Sequence, residues 1–83
     1  MERNWYVYIL QCADGTLYTG ITNDLDRRLK AHNAGTASKY TRVRRPVAMV
    51  HQEETDSKGN ALRRELQIKS MSRQQKMDLI NNK

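Results

Sequence analysis

Residues 5–22 read WYVYILQCADGTLYTGIT, and the way the two halves of this stretch pair decides the fold. Trp5 to Gln11 is β-branched and aromatic almost throughout. Both alternating faces are apolar (Trp5, Val7 and Ile9 against Tyr6, Tyr8 and Leu10), which predicts a strand covered on both sides. Ala13-Asp14-Gly15 supplies a turn and Leu17 to Thr22 a second strand, so a hairpin is expected. A two-residue Asp14-Gly15 turn would pair residues whose numbers sum to 29, with Tyr8 and Tyr18 on opposite faces. A three-residue loop with Gly15 left-handed pairs residues summing to 28 and puts both tyrosines on one face. Only this register lets the two phenols share a site, and it is the one expected.

Downstream, Asp24 to about Ala34 reads as a helix. Asn23 or Thr22 can cap it, Asp24 and Asp26 sit in its positive first turn, and Gly35 ends it. Leu25 and Leu29 form its buried stripe. Arg28 and His32 lie one turn apart on a flank of that stripe, where they border the sheet without entering the core. From Gly35 to Arg45 periodicity is lost and the segment reads as a basic loop. Pro46 opens a third strand, Val47 to about Glu53. Ser57 or Asp56 can cap a helix from Lys58 towards Met71, and Ser72 with Gln75 forms a capping box for a last helix through Ile80. The order β-β-α-β-α-α predicts an α+β fold: a small three-stranded antiparallel sheet flanked by helices.

Eighty-three residues make one small domain. Fifteen Lys and Arg against nine Asp and Glu give a net charge of +6, which suits a polyanionic partner. Cys12 is the only cysteine, so an internal disulfide and a cysteine-built zinc site are both excluded. The apolar run Trp5 to Leu10 is too short for a signal core or a membrane span. A cytoplasmic protein with no membrane contact is expected.

Glu65 is the most telling single residue. On a helical wheel it falls between Ala61 and Leu62, inside an arc completed by Leu66 and Ile68. A carboxylate there has to be salt-bridged, protonated or bound to a metal, since an unpaired buried ion costs on the order of several kcal/mol. Lys69, four residues on, offers the structural alternative. Tyr8 and Tyr18 are either packing residues or phenols awaiting nearby cations. Arg28 is either a solvated helix arginine or a planar, permanently charged fork suited to a phosphoryl group. His32, with an ordinary pKa near 6.5, either orients a water or sits as an interfacial histidine. His51 reads as structural. Lys39, Arg42, Arg44 and Arg45, with Tyr40 interleaved, form a candidate nucleic-acid-binding patch with one stacking ring.

Taken in order and spacing, these residues resemble the GIY-YIG nuclease superfamily, from about Trp5 to Lys69, and most closely its small single-domain UPF0213 branch. Tyr6-Val7-Tyr8 stands where the first tripeptide belongs and Tyr18-Thr19-Gly20 where the second does. Tyr6 replaces the glycine of the first and Thr19 the isoleucine of the second. The resemblance implies that Tyr8 and Tyr18 are the motif tyrosines, Arg28 the catalytic arginine, His32 the accompanying helix histidine and Glu65 the carboxylate that holds a divalent metal. It implies metal-assisted hydrolysis of a nucleic-acid phosphodiester, with DNA the expected substrate and Mg²⁺ or Mn²⁺ the cofactor. In that reaction Tyr18 helps to deprotonate the attacking water and Arg28 stabilises the transition state. A nucleic-acid-binding module without turnover, and an adaptor acting with a protein partner, stand as alternatives. Specificity would come from the basic loop or from such a partner.

Overall fold

The computed structural model describes residues 4–82. In it β1 (Trp5–Gln11) is the middle strand of a three-stranded antiparallel sheet in the order β2-β1-β3, with β2 at Leu17–Thr22 and β3 at Ala48–Thr55. The hairpin has the register that the three-residue loop predicts. Tyr8 pairs with Gly20 and Leu10 with Tyr18. Gly15 has φ +86°, a left-handed conformation that a Cβ would strain, and Cys12 N–H closes the loop on Thr16 O at 2.8 Å.

This register sorts β1 onto two cores. Tyr8 and Leu10, with Tyr18 beside them, pack against Leu25, Leu29 and Met49. Val7 and Ile9 point the other way, against Ala61 and Ile68. All four residues from Val7 to Leu10 are buried, as expected of a strand covered on both faces. β3 pairs with β1 through a bulge: Ile9 lies opposite His51 but Leu10 opposite Met49.

The helices sit close to their expected places. α1 (Leu25–Ala34) ends at Gly35, φ +84°. Its cap is Asp24, whose carboxylate accepts from Arg27 N–H at 3.1 Å, rather than Asn23 or Thr22. Thr22 Oγ1 accepts from Asp24 N–H instead and ties the strand end to the helix start. Residues 35–45 are not all loop. Ser38 caps a single helical turn, α2 (Lys39–Arg42), too short to show a 3.6-residue period. β3 runs one to two residues later than expected. α3 (Lys58–Lys69) is capped by Ser57, and α4 (Arg73–Asn81) carries the Ser72–Gln75 capping box.

The orientation of α3 corrects the expected apolar arc. Ala61 and Ile68 face the sheet, whereas Leu62 and Leu66 are 41% and 66% exposed. Ala61 and Ile68 are seven residues apart on one line of the helix, and Arg64, beside that line, reaches Glu53 on β3 through two hydrogen bonds of 2.8 and 3.1 Å. That pairing and the small Ala61 set the face, so the two leucines turn outward. Among the described residues, no helix is long and apolar enough to cross a membrane.

Candidate active site

β1 and β2 bring Tyr8 and Tyr18 to one sheet face, and α1 lays His32 between them. The His32 ring meets both phenol rings edge-on, with centroids 5.7 Å from Tyr8 and 5.2 Å from Tyr18. His32 is 1% exposed, so it enters the core rather than bordering it. It does so because both of its nitrogens have partners. Tyr8 Oη lies 2.8 Å from Nε2, and Thr41 Oγ1 2.8 Å from Nδ1.

Electrostatics fix the proton positions in this chain. Burial raises the Tyr8 pKa well above that of an ordinary phenol, reinforced by Tyr18. Burial also lowers the His32 pKa, helped by the charge of Arg28. Both groups are therefore neutral at pH 7. The Tyr8 hydroxyl has no other hydrogen-bond partner among the described residues, so its proton goes to Nε2. Nδ1 then carries the imidazole proton and donates to Thr41 Oγ1, whose own proton turns to Ser38. Tyr18 is only partly buried, and its hydroxyl has no hydrogen-bond partner among the described residues.

Gly20 makes room for this arrangement. A Cβ built there would lie 2.5 Å from Tyr8 Oη and 2.6 Å from Cζ, so the phenol crosses β2 where a side chain would stand. Neither its type nor its place in the strand signals this contact.

Arg28 is exposed. With Arg27 it lines a cleft of about 270 Å³ that also involves Thr22, Asn23 and Ala31. Its charge acts on both Tyr8 and His32. Glu65 comes from α3, which packs on β1 and β2, and its charge also acts on Tyr8. Tyr8, Tyr18, Arg28, His32 and Glu65, separated by up to 57 positions (65 − 8) in the chain, thus form one electrostatic cluster.

The Glu65 side chain is 15% exposed and stands 3.5 Å from Lys69 Nζ. It makes no hydrogen bond among the described residues, and no group of three or more His, Cys, Asp or Glu there could hold a metal. A single carboxylate of this kind fits Mg²⁺, which keeps several waters and takes the rest of its shell from substrate phosphate. It would not fit a metal that requires an all-protein cage.

The basic segment divides in two. Lys39 and Arg42 are exposed and have no side-chain partner among the described residues. Arg45 donates to Arg42 O and Asn33 O, at 2.8 and 3.4 Å. Arg44 pairs with Asp14 at 3.1 Å, donates to Tyr40 O, and lays its guanidinium 3.9 Å from the centre of the Tyr40 ring. Tyr40 in turn stacks on Tyr18 with centroids 5.9 Å apart. The contacts of Thr41, a buried residue, with His32 and of Asp14, in the hairpin turn, with Arg44 were not foreseen from the sequence. His51 pairs with Glu53 at 2.8 Å, outside the cluster.

A family model described as the GIY-YIG catalytic domain matches residues 4–78. The chain is 51% identical over 76 residues to a UPF0213 protein of Staphylococcus saprophyticus, covering 92% of this chain and 93% of the other. It is 55% identical over 75 residues to a UPF0213 protein of Halobacterium salinarum, covering 90% and 97%. The solution NMR structure of a UPF0213 protein from Bacillus halodurans superposes with a TM-score of 0.63 at 48% identity, over 96% of this chain and 85% of that one.

Proposed function

The chain belongs to the GIY-YIG family, and from that membership we propose that it is a metal-dependent endonuclease hydrolysing phosphodiester bonds of nucleic acid, with DNA as the substrate. One observation carries the reading: His32 meets both phenol rings, the charges of Arg28 and Glu65 act on Tyr8, and one phenol is tied down while the other is free. Tyr8 donates to His32 and holds the ring in place. Tyr18, untied, would help to deprotonate an attacking water, its phenol oxygen taking the water's proton as its own passes to solvent, while the water oxygen bonds to phosphorus and the phosphorus–leaving-oxygen bond breaks. Arg28, exposed beside the cleft, supplies a fixed positive charge for the phosphoryl oxygens as negative charge builds on them. Glu65 would hold the divalent ion, which when bound supplies charge neutralisation at the leaving oxygen.

The Lys69–Glu65 pair favours a second reading, a nucleic-acid-binding module in which Glu65 is structural. The two separate on Glu65→Ala. In the nuclease, the variant loses cleavage of labelled nucleic acids in Mg²⁺ and Mn²⁺, loses calorimetric Mn²⁺ binding, and keeps its thermal stability, because Ala is a good helix former and a desolvated charge is gone. Cleavage that survives Glu65→Ala would overturn the metal role of Glu65, and a parent protein that binds nucleic acid without cleaving it, and loses stability on the same change, would leave the binding module.

A further inference from the structure

We infer that Asp14 and Arg44 are positioning residues for Tyr18, acting through the ring of Tyr40. The inference rests on the proposed nuclease reading for its kinetic readout but not for its structural one. Four contacts in series support it. Asp14 holds Arg44 Nε at 3.1 Å, Arg44 Nη1 donates to Tyr40 O at 2.9 Å, the guanidinium lies 3.9 Å from the Tyr40 centroid, and Tyr40 stacks on Tyr18 at an interplanar angle of 26°. A backbone bond from Ala13 N–H to Arg44 O, 2.9 Å, ties the same turn to the hairpin. The segment that carries the stack also bears on the second tyrosine, since Thr41 Oγ1 lies 2.8 Å from Nδ1 of the His32 ring that Tyr8 bonds.

Three features argue for positioning over other roles. The Asp14–Arg44 pair is 47% and 32% exposed, and pairs that wet contribute little to stability. Two donors of Arg44 are already engaged inside the chain and its face covers a ring, which leaves it poorly placed as a backbone-phosphate ligand. Asp14 is held in its charged form, its pKa lowered by hydrogen bonds from Thr16 first and by Arg44 after. An anion there would repel a nucleic-acid backbone, so its presence beside the site calls for another use. Clamping the Arg44 fork provides one. Tyr18, whose own hydroxyl is untied, needs its ring held from the side.

The test uses Asp14→Asn and Arg44→Lys in the full chain. Asp14→Asn removes a negative charge, so by charge alone it would tighten nucleic-acid binding or leave it unchanged. Positioning predicts instead a fall in kcat of about tenfold to a hundredfold with KM unchanged or lower, the scale of a small misplacement of a catalytic group. Arg44→Lys keeps the charge but not the planar fork, and should show the same fall. The double variant should be no worse than either single one, because both break one chain of contacts. Independently of turnover, the ring resonances of Tyr18 should shift in both single variants as Tyr40 leaves its stack. Unmoved Tyr18 resonances, or an Asp14→Asn protein with parent kcat, would overturn the inference. An inactive parent protein would end the nuclease reading and leave the resonances to decide the clamp.

Discussion

Gly20→Ala should be strongly destabilising, although alanine at an ordinary strand position is better than glycine. Gly20 does not have a positive φ, so its backbone suits an L-residue, and on backbone grounds alone the change should stabilise by about 0.4–1 kcal/mol. The opposing term is steric. The added methyl would lie 2.5 Å from Tyr8 Oη and 2.6 Å from Cζ. Tyr8 cannot retreat cheaply, since it is 2% exposed and bonded to His32. Overpacking costs about 1–3 kcal/mol, and a displaced phenol leaves His32 Nε2 unsatisfied at about 1–3 kcal/mol more. Allowing for partial relaxation, a net loss of about 2–4 kcal/mol follows, which for a domain of this size lowers Tm by about 10–30 °C. Thermal and urea denaturation of the variant measure it. The same change in a Tyr8→Leu background isolates the cause: with the phenol gone, Gly20→Ala should cost less than about 0.5 kcal/mol, and the difference is the coupling between the two positions. Tyr8→Phe should not relieve the clash, because the ring carbon remains. A Gly20→Ala protein melting within about 2 °C of the parent, or an equal loss in the Tyr8→Leu background, would refute this account of the crossing phenol.

Two further outcomes follow from the same site. Burial of His32 lowers its pKa in the folded chain, so the folded state binds fewer protons there than the unfolded state. Its contribution is complete above the unfolded value of about 6.5 and is lost as pH falls from there towards the folded value. Tm followed from pH 7 to pH 5 should decline, and His32→Gln should flatten the slope. In the basic segment, Lys39 and Arg42 are the exposed cations whose side chains have no partner among the described residues, and replacing both by Ala should reduce the log–log salt slope of nucleic-acid binding by roughly 0.7–0.9 for each phosphate contact removed. An unchanged slope would place the binding surface elsewhere.

Strand pattern, turn chemistry and caps are local, and local signals carried the architecture. The double-faced apolar run of β1, the Asp14-Gly15 turn and Gly35 were sufficient to predict two strands, their register and the end of α1, because each depends on neighbours within a few residues. The requirement that two tyrosines share a face even selected the loop length that the structure has. Orientation about a helix axis was not local in this sense. The faces of α3 depended on Arg64 finding Glu53 across 11 positions (64 − 53), so Leu62 and Leu66, which look like core residues on a wheel, ended in solvent. His32 was legible as a site residue but not as a buried one, since its burial required Thr41 on a helical turn too short to leave a periodic trace. The reason for Gly20, the division of the basic segment into cations bonded within the chain and cations left without a partner, and the Asp14–Arg44–Tyr40–Tyr18 stack depended in the same way on contacts between residues far apart in the chain. Sequence alone determined which groups this protein has for chemistry and which strands carry them. Tertiary packing decided which of those groups are tied down and which are left without a partner, because that depends on residues brought together only when the hairpin, α1 and the 38–44 segment close on one another.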